Sequence, residues 1–75
     1  MYRYLMNEGS FYLPEIGAYQ SYGLNVVAEQ AGAETLLAVV EDISVDKAFV
    51  QALAEMFEQG QLEPVHLMDV LENVL

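Results

Sequence analysis

His66, Asp69 and Glu72 are the residues whose spacing comes nearest to a chemical site. They form H-x-x-D-x-x-E, and on a helix side chains three apart are neighbours, so the three could lean toward one divalent ion. One helix cannot enclose a metal, however, and no second ligand cluster stands elsewhere in the chain. They are weak metal candidates, and a wet outer helix face is the stronger account of them. Ser10, Ser21 and Ser44 are the only hydroxyls that could join the single histidine in a serine triad, and none lies in a nucleophile-elbow motif. Carboxylates are abundant, but acid–base work needs a carboxylate whose burial shifts its pKa, and number alone does not supply that. There is no glycine-rich phosphate loop. With no cysteine, thiol chemistry and cysteine zinc sites are excluded. The expectation is a protein with no catalytic residues and no cofactor.

The charge balance excludes further classes. Twelve acids face two bases, Arg3 and Lys47, for a net charge of −10. Nucleic-acid binding draws on counterion release by several Lys or Arg, and attraction to an anionic membrane surface needs the same residues. Neither a nucleic acid nor a membrane is an expected partner. The longest apolar run, at 36–40, is far short of the roughly 20 residues that span a bilayer. The first residues lack the basic and apolar regions of a signal peptide. A cytoplasmic protein is expected, in keeping with the absence of disulfides.

The elements that would position any site follow from periodicity. At 75 residues, 55% of them apolar, the chain has room and core material for one domain spanning 1–75. Alternating aromatics predict a strand at 2–6, the Asn7-Glu8-Gly9-Ser10 cluster predicts a turn, and 10–13 predicts a short return strand. Pro14 and Gly17 mark a loop. At 21–29, Tyr22, Leu24, Val26 and Ala28 alternate with Gly23, Asn25, Val27 and Glu29, and Gly32 then marks a hairpin turn. The strand at 34–43 is apolar on both sides, with Leu36, Ala38 and Val40 on one and Leu37, Val39 and Ile43 on the other. That predicts a central strand covered on both faces.

Ser44 is the expected N-cap of a helix over 45–59, with Asp46 in its first turn and Gly60 as the left-handed stop. Val45, Phe49, Val50, Ala52, Leu53, Met56 and Phe57 form its apolar arc. Pro64 opens a second helix over 64–74, with Leu67, Met68, Val70, Leu71, Val74 and Leu75 inward. Strands first and helices after predict an α+β fold: an antiparallel sheet of three strands, or four if the first region folds back. Both helices are expected on one sheet face.

Two features then point outward. Glu55, Glu58 and Glu72 oppose the helix dipoles near the helix ends, a placement that helix stability does not explain. And the face carrying Leu37 and Val39 exceeds what two helices on one side can cover. A small chain can complete such a core with a second copy, so a homodimeric, non-catalytic interaction module is expected. Leu37, Val39, Tyr19 and Tyr22 are the interface candidates, the tyrosines because they pair large apolar area with a polar tip. Sheet packing is the competing role for those tyrosines. The alternative partner is a basic protein, met by an acidic adaptor or nucleic-acid mimic; a divalent ion at the second helix is the other alternative.

The segment Glu41-Asp42-Ile43-Ser44-Val45-Asp46-Lys47, with Pro64-Val65-His66-Leu67-Met68-Asp69-Val70-Leu71-Glu72, resembles a small clostridial family, domain of unknown function 6514. An E-D-I-S-x-D turn opens a helix there, and a P-x-H-L-x-D-V-x-E helix closes the chain. Tyr22-Gly23-Leu24 is similar to its Y-G-I strand. The resemblance covers the chain from about Tyr19 onward, and Asn73 departs from it where another acid is expected. It implies a Gram-positive, intracellular origin and brings no activity.

Overall fold

The computed structural model describes residues 1–75. Three long strands, β1 (Tyr2–Leu13), β2 (Gly17–Gln30) and β3 (Ala33–Ser44), form an antiparallel meander in the order β1-β2-β3. A helix α1 (Lys47–Gln59), a 3-10 turn (Pro64–His66) and a helix α2 (Leu67–Val74) follow, and both helices pack on one face of the sheet. The fold is α+β, with three strands rather than four.

Asn7-Glu8-Gly9-Ser10 is not a turn. β1 runs straight through it, with Asn7 paired to Gly23 and Gly9 to Ser21. A strand glycine leaves a gap in the pleat, and here the Phe11 ring fills it: a Cβ at Gly9 would meet two ring atoms at 3.0 Å. The chain reverses later. Ile16 N–H donates to Leu13 O at 3.1 Å, Pro14 takes the turn position that suits its fixed φ, and Gly17 at φ 82 supplies the left-handed residue of a three-residue hairpin loop. The strands are therefore long, and the molecule measures 45 × 25 × 20 Å.

The second hairpin turns on Ala31 and Gly32, at φ 52 and 79. Positive φ at both central residues matches a type I′ turn, which favours Asn-Gly and penalises alanine. Ala31→Asn should therefore stabilise the domain by about 1 kcal/mol, read as a rise of roughly 4–8 °C in Tm. An unchanged or lower Tm would refute this account of the turn.

β2 is the central strand and alternates as its sequence predicts. Leu24 and Val26 are fully buried beneath the helices, while Asn25 and Val27 lie on the opposite face. β3 does not alternate, because two irregularities interrupt its pairing. Val26 pairs with Ala38 but Val27 with Leu36, so Leu37 is an extra residue; Leu24 pairs with Val40 but Tyr22 with Ser44, so two more are looped out. The single insertion at Leu37 shifts the side-chain parity, whereas the two-residue insertion preserves it beyond the loop and breaks the alternation only within it. Leu36 is thereby placed opposite Val27 on the uncovered side, and Ile43 joins Ala38 and Val40 against the core. β3 is an edge strand covered on one face only, not the doubly covered central strand its composition suggests.

The core gathers Tyr4 from β1, Leu24 and Val26 from β2, Val50, Leu53, Ala54 and Phe57 from α1, and Leu67 and Leu71 from α2. Fully burying one such Val, Leu or Phe contributes about 1.5–3 kcal/mol. The expected arc of α1 is rotated: Ala54 is inside, while Val45, Ala52 and Met56 are exposed. In α2, Met68, Val74 and Leu75 likewise face out.

Both ends of α1 are built one or two residues from where sequence signals place them. Asp46, not Ser44, is the N-cap, accepting from Phe49 N–H at 3.1 Å; Ser44 Oγ accepts from Asp46 N–H at 3.1 Å and orients the entry. At the C-terminus Gly60 keeps a right-handed conformation (φ −81), and Gln61 is the left-handed residue at φ 48. Leu62 N–H donates to Phe57 O and Gln61 N–H to Glu58 O, the paired bonds of a Schellman stop. The side chain of Gln61 explains why a non-glycine is held there. Its amide accepts from Tyr2 N–H at 2.8 Å and donates to Tyr2 O at 2.9 Å, in the manner of a neighbouring strand.

Candidate functional site

The uncovered face of the sheet is built by alternate residues of all three strands. Register aligns Arg3 with Val27 and Leu36, Leu5 with Asn25 and Val39, and Asn7 with Gly23. No helix lies over it. Leu37 is 46% and Val39 49% exposed, and Leu5 and Leu36 are exposed beside them. The interface candidates Leu37 and Val39 thus stand together on one open surface, joined by Leu5 and Leu36. Leu36 was hidden from sequence reasoning by the bulge that changes its face, and Leu5 by the expected turn at 7–10.

A depression of about 310 Å³ continues this face toward the first hairpin, with Gly9 in its floor and Phe11, Asn25, Val39 and Glu41 around it. Asn7 Nδ2 donates to Asn25 Oδ1 at 2.8 Å and to Val40 O at 3.4 Å, which ties the amides to each other and to β3. The strands close in tightly here. Gly23 is buried where the looped-out part of β3 crosses it, and a Cβ would lie 2.0 Å from Val40 O.

Tyr19 and Tyr22 part company. Tyr22 is half-buried on the helix side and packs against the core. Tyr19 lies on the open side, its ring tilted against Phe11 with centroids 5.8 Å apart, and its hydroxyl donates to Asp42 Oδ2 at 2.8 Å. Asp42 sits at φ 56 within the looped-out segment. Its carboxyl is held below the ordinary 3.8 by the neighbouring Ser21 hydroxyl and then by Tyr19. The well-aligned bond is Tyr19's: the buried Ser21 Oγ faces the carboxylate without reaching hydrogen-bond geometry to any partner. The Tyr19 phenol is raised above 10.0 by the same bond, and the Tyr2 phenol by its bond to Glu63. Tyr4 is raised chiefly by burial.

The sign of each pH effect follows. Asp42 contributes stability that is full above pH 3.8 and lost as pH falls through its lower folded value. The tyrosines contribute stability that is full below pH 10.0 and lost as pH rises through their higher folded values. In Tyr19→Phe the Asp42 carboxyl should titrate closer to 3.8 by NMR, and the alkaline loss of stability should shrink. An unmoved Asp42 titration would refute the role given to the Tyr19 hydroxyl.

The acids are spread over every element, and many are engaged. Glu29 and Glu34 flank Arg3 at 3.8 and 3.3 Å, an exposed cluster that adds little stability. Asp46 caps α1, Asp42 accepts from Tyr19, and Glu63 accepts from Tyr2 at 2.9 Å. Glu58 corrects the expectation that its place near a helix end has no structural reason: its Oε1 accepts Tyr4 N–H at 2.9 Å and caps the edge of β1. Glu55 and Glu72 remain exposed without an intrachain bond.

The metal candidates are not assembled into a site. His66 ends the 3-10 turn, Asp69 lies in the first turn of α2 and Glu72 beyond it, all exposed, and nowhere does the chain gather three His, Cys, Asp or Glu able to hold an ion. No helix is long and apolar enough to cross a membrane.

The chain belongs to a family of unknown function (DUF6514), whose profile matches residues 1–75. The resemblance carried by the segments at 41–47 and 64–72 therefore extends over the whole chain. No match was found among curated proteins or solved structures.

Proposed function

We propose that this family member is a non-catalytic protein-interaction module that pairs with a second copy of itself through the open sheet face. The observation that carries this reading is the cluster of Leu5, Leu36, Leu37 and Val39 on a face that no helix of the chain covers. Contiguous exposed apolar surface of this kind marks interaction sites in soluble proteins. The net charge of −10 opposes self-association in general, but little of it stands at the centre of this face. The centre of the face is apolar or amide, and Arg3, one of only two bases, partly offsets Glu29 and Glu34 at one end. Three strands about 4.8 Å apart and about 35 Å long present roughly 500 Å² in projection. Accessible area exceeds projected area, so the face is within reach of the roughly 600–1,000 Å² each partner buries in a specific complex.

Leu37→Glu places a charge where the two faces would meet. Sedimentation should show the mass of the assembly halved, with the circular dichroism spectrum unchanged. An unchanged mass would refute the face as the contact. The acidic-mimic reading gains no comparable support, because the acids are distributed over all elements and several serve the fold.

A further inference from the structure

The free edge of β1 offers a second surface, which goes beyond the open-face reading and does not depend on it. In β1 the odd-numbered residues exchange backbone hydrogen bonds with β2, as the Met1–Glu29 pair does just before the strand, so the even-numbered residues turn their N–H and C=O groups outward. At Tyr2 both groups are taken by Gln61, and at Tyr4 the N–H is taken by Glu58. At Met6, Glu8, Ser10 and Tyr12 nothing takes them. The opposite edge, on β3, is broken by two bulges, a common way of blunting an edge. Residues 6–12 are thus a regular, uncapped edge segment, and such segments are templates for strand addition.

We propose that a second copy of this chain pairs with this segment, β1 against β1, antiparallel about a twofold axis at Gly9. This is the register that uses the whole of residues 6–12. It sets Met6 opposite Tyr12 of the other copy and Glu8 opposite Ser10, while the open side gains Leu5 opposite Leu13. A shift that put Glu8 opposite Glu8 would set like charges face to face, which is destabilising. The side chains support the choice. Tyr12 is 70% exposed, Leu13 and Leu5 are exposed, and Tyr12 has no hydrogen bond within its own chain. Beside Met6, a notch of about 190 Å³ opens between β1 and α1, lined by Tyr4, Leu5, Met6, Ala54, Glu55 and Glu58 among others. Tyr12 of the other copy enters the sheet on that side. Its ring meets Met6 and Ala54 there, and its hydroxyl has Glu55 as an acceptor, which gives that otherwise unexplained helix-end acid a role. Helices of both copies then lie on one side of a six-stranded sheet, and the two open faces merge on the other. Two such sheets stacked by their open faces make a four-copy assembly with dihedral symmetry, the commonest arrangement after the simple dimer.

The test is sedimentation of Leu37→Glu, Ser10→Pro, Tyr12→Ala and the double variant Leu37→Glu/Ser10→Pro. Proline at 10 removes an N–H that points away from β2, a position where edge strands tolerate it. The expected masses are four copies for the wild type, two for each of Leu37→Glu and Ser10→Pro, and one for the double variant. Tyr12→Ala in the Leu37→Glu background should weaken the remaining pair at least about tenfold. The amide of Glu8, which no bond within the chain protects, should exchange slowly in Leu37→Glu and quickly in the double variant. A folded Leu37→Glu that sediments as one copy, or a double variant that stays paired, would overturn the edge contact. A wild type that loses mass on Ser10→Pro but not on Leu37→Glu would instead keep the edge and overturn the open face.

Discussion

Gly23→Ala should destabilise the domain by about 3 kcal/mol or more, the top of the range for overpacking a filled site. The added methyl would lie 2.0 Å from Val40 O, 2.8 Å from Asn7 Oδ1 and 2.9 Å from the Glu41 Cα. Two of those three atoms are backbone, so no side-chain rotation relieves the clash. β3 must lift away from β2, which loosens the looped segment that carries Asp42 and with it the Tyr19 bond. Urea denaturation should show the midpoint displaced far below that of the wild type with an unchanged slope. A shift of under about 0.5 kcal/mol would mean that β3 does not cross Gly23 as described. Gly9 provides the contrast, since its only close neighbours are atoms of the Phe11 ring, which can swing aside.

Tyr4 carries the second large effect. It is the one deeply buried residue of β1, its ring meets Phe57 edge-on at 5.6 Å, and its hydroxyl donates to the carbonyl of Leu62. It therefore joins the first strand to the end of α1 and to the linker toward α2. Tyr4→Ala removes the ring from the core and should cost about 3–5 kcal/mol, a large share of the stability a domain this small possesses. Tyr4→Phe keeps the ring and loses one hydrogen bond, so about 1 kcal/mol is expected. Thermal melts of the two variants separate the contributions. Equal losses would show that the hydroxyl, not the packing, holds the strand.

Both effects depend on features of very different legibility. The order of elements, the single-sided helix layer and the alternation of β2 follow from period and punctuation. They are local, and each position in β2 agrees with its neighbours. The misreadings share one cause, which is that a residue's role was decided by a partner distant in sequence. Asn7-Glu8-Gly9-Ser10 has the composition of a turn, but pairing with 20–23 and the Phe11 ring hold it extended. β3 has the composition of a buried strand, but its bulges turn Leu36 outward and Ile43 inward. No period of two survives an inserted residue. Glu58 reads as an outward-pointing acid near a helix end, but its bond to the backbone of Tyr4, like that of Gln61 to Tyr2, spans more than fifty positions.

The candidate surface was legible in outline for the same reason. Leu37 and Val39 stood out because the apolar residues of β3 outnumbered what one helix layer can cover, a matter of counting rather than geometry. Their neighbours Leu5 and Leu36 needed the register. His66, Asp69 and Glu72 show the converse. Their spacing was suggestive on one helix, and the fold brings no further ligand to them.

The open face is tested most directly by isotope-filtered NMR on an equimolar mixture of labelled and unlabelled protein, which reports only contacts between copies. Methyl groups of Leu37 and Val39 should show intermolecular contacts with Leu5, Leu36 or Val39 of another copy, and these should vanish in Leu37→Glu. Intermolecular contacts confined to the exposed methyls of Met68, Val74 and Leu75 on the helix side, or none at all at millimolar concentration, would contradict the account.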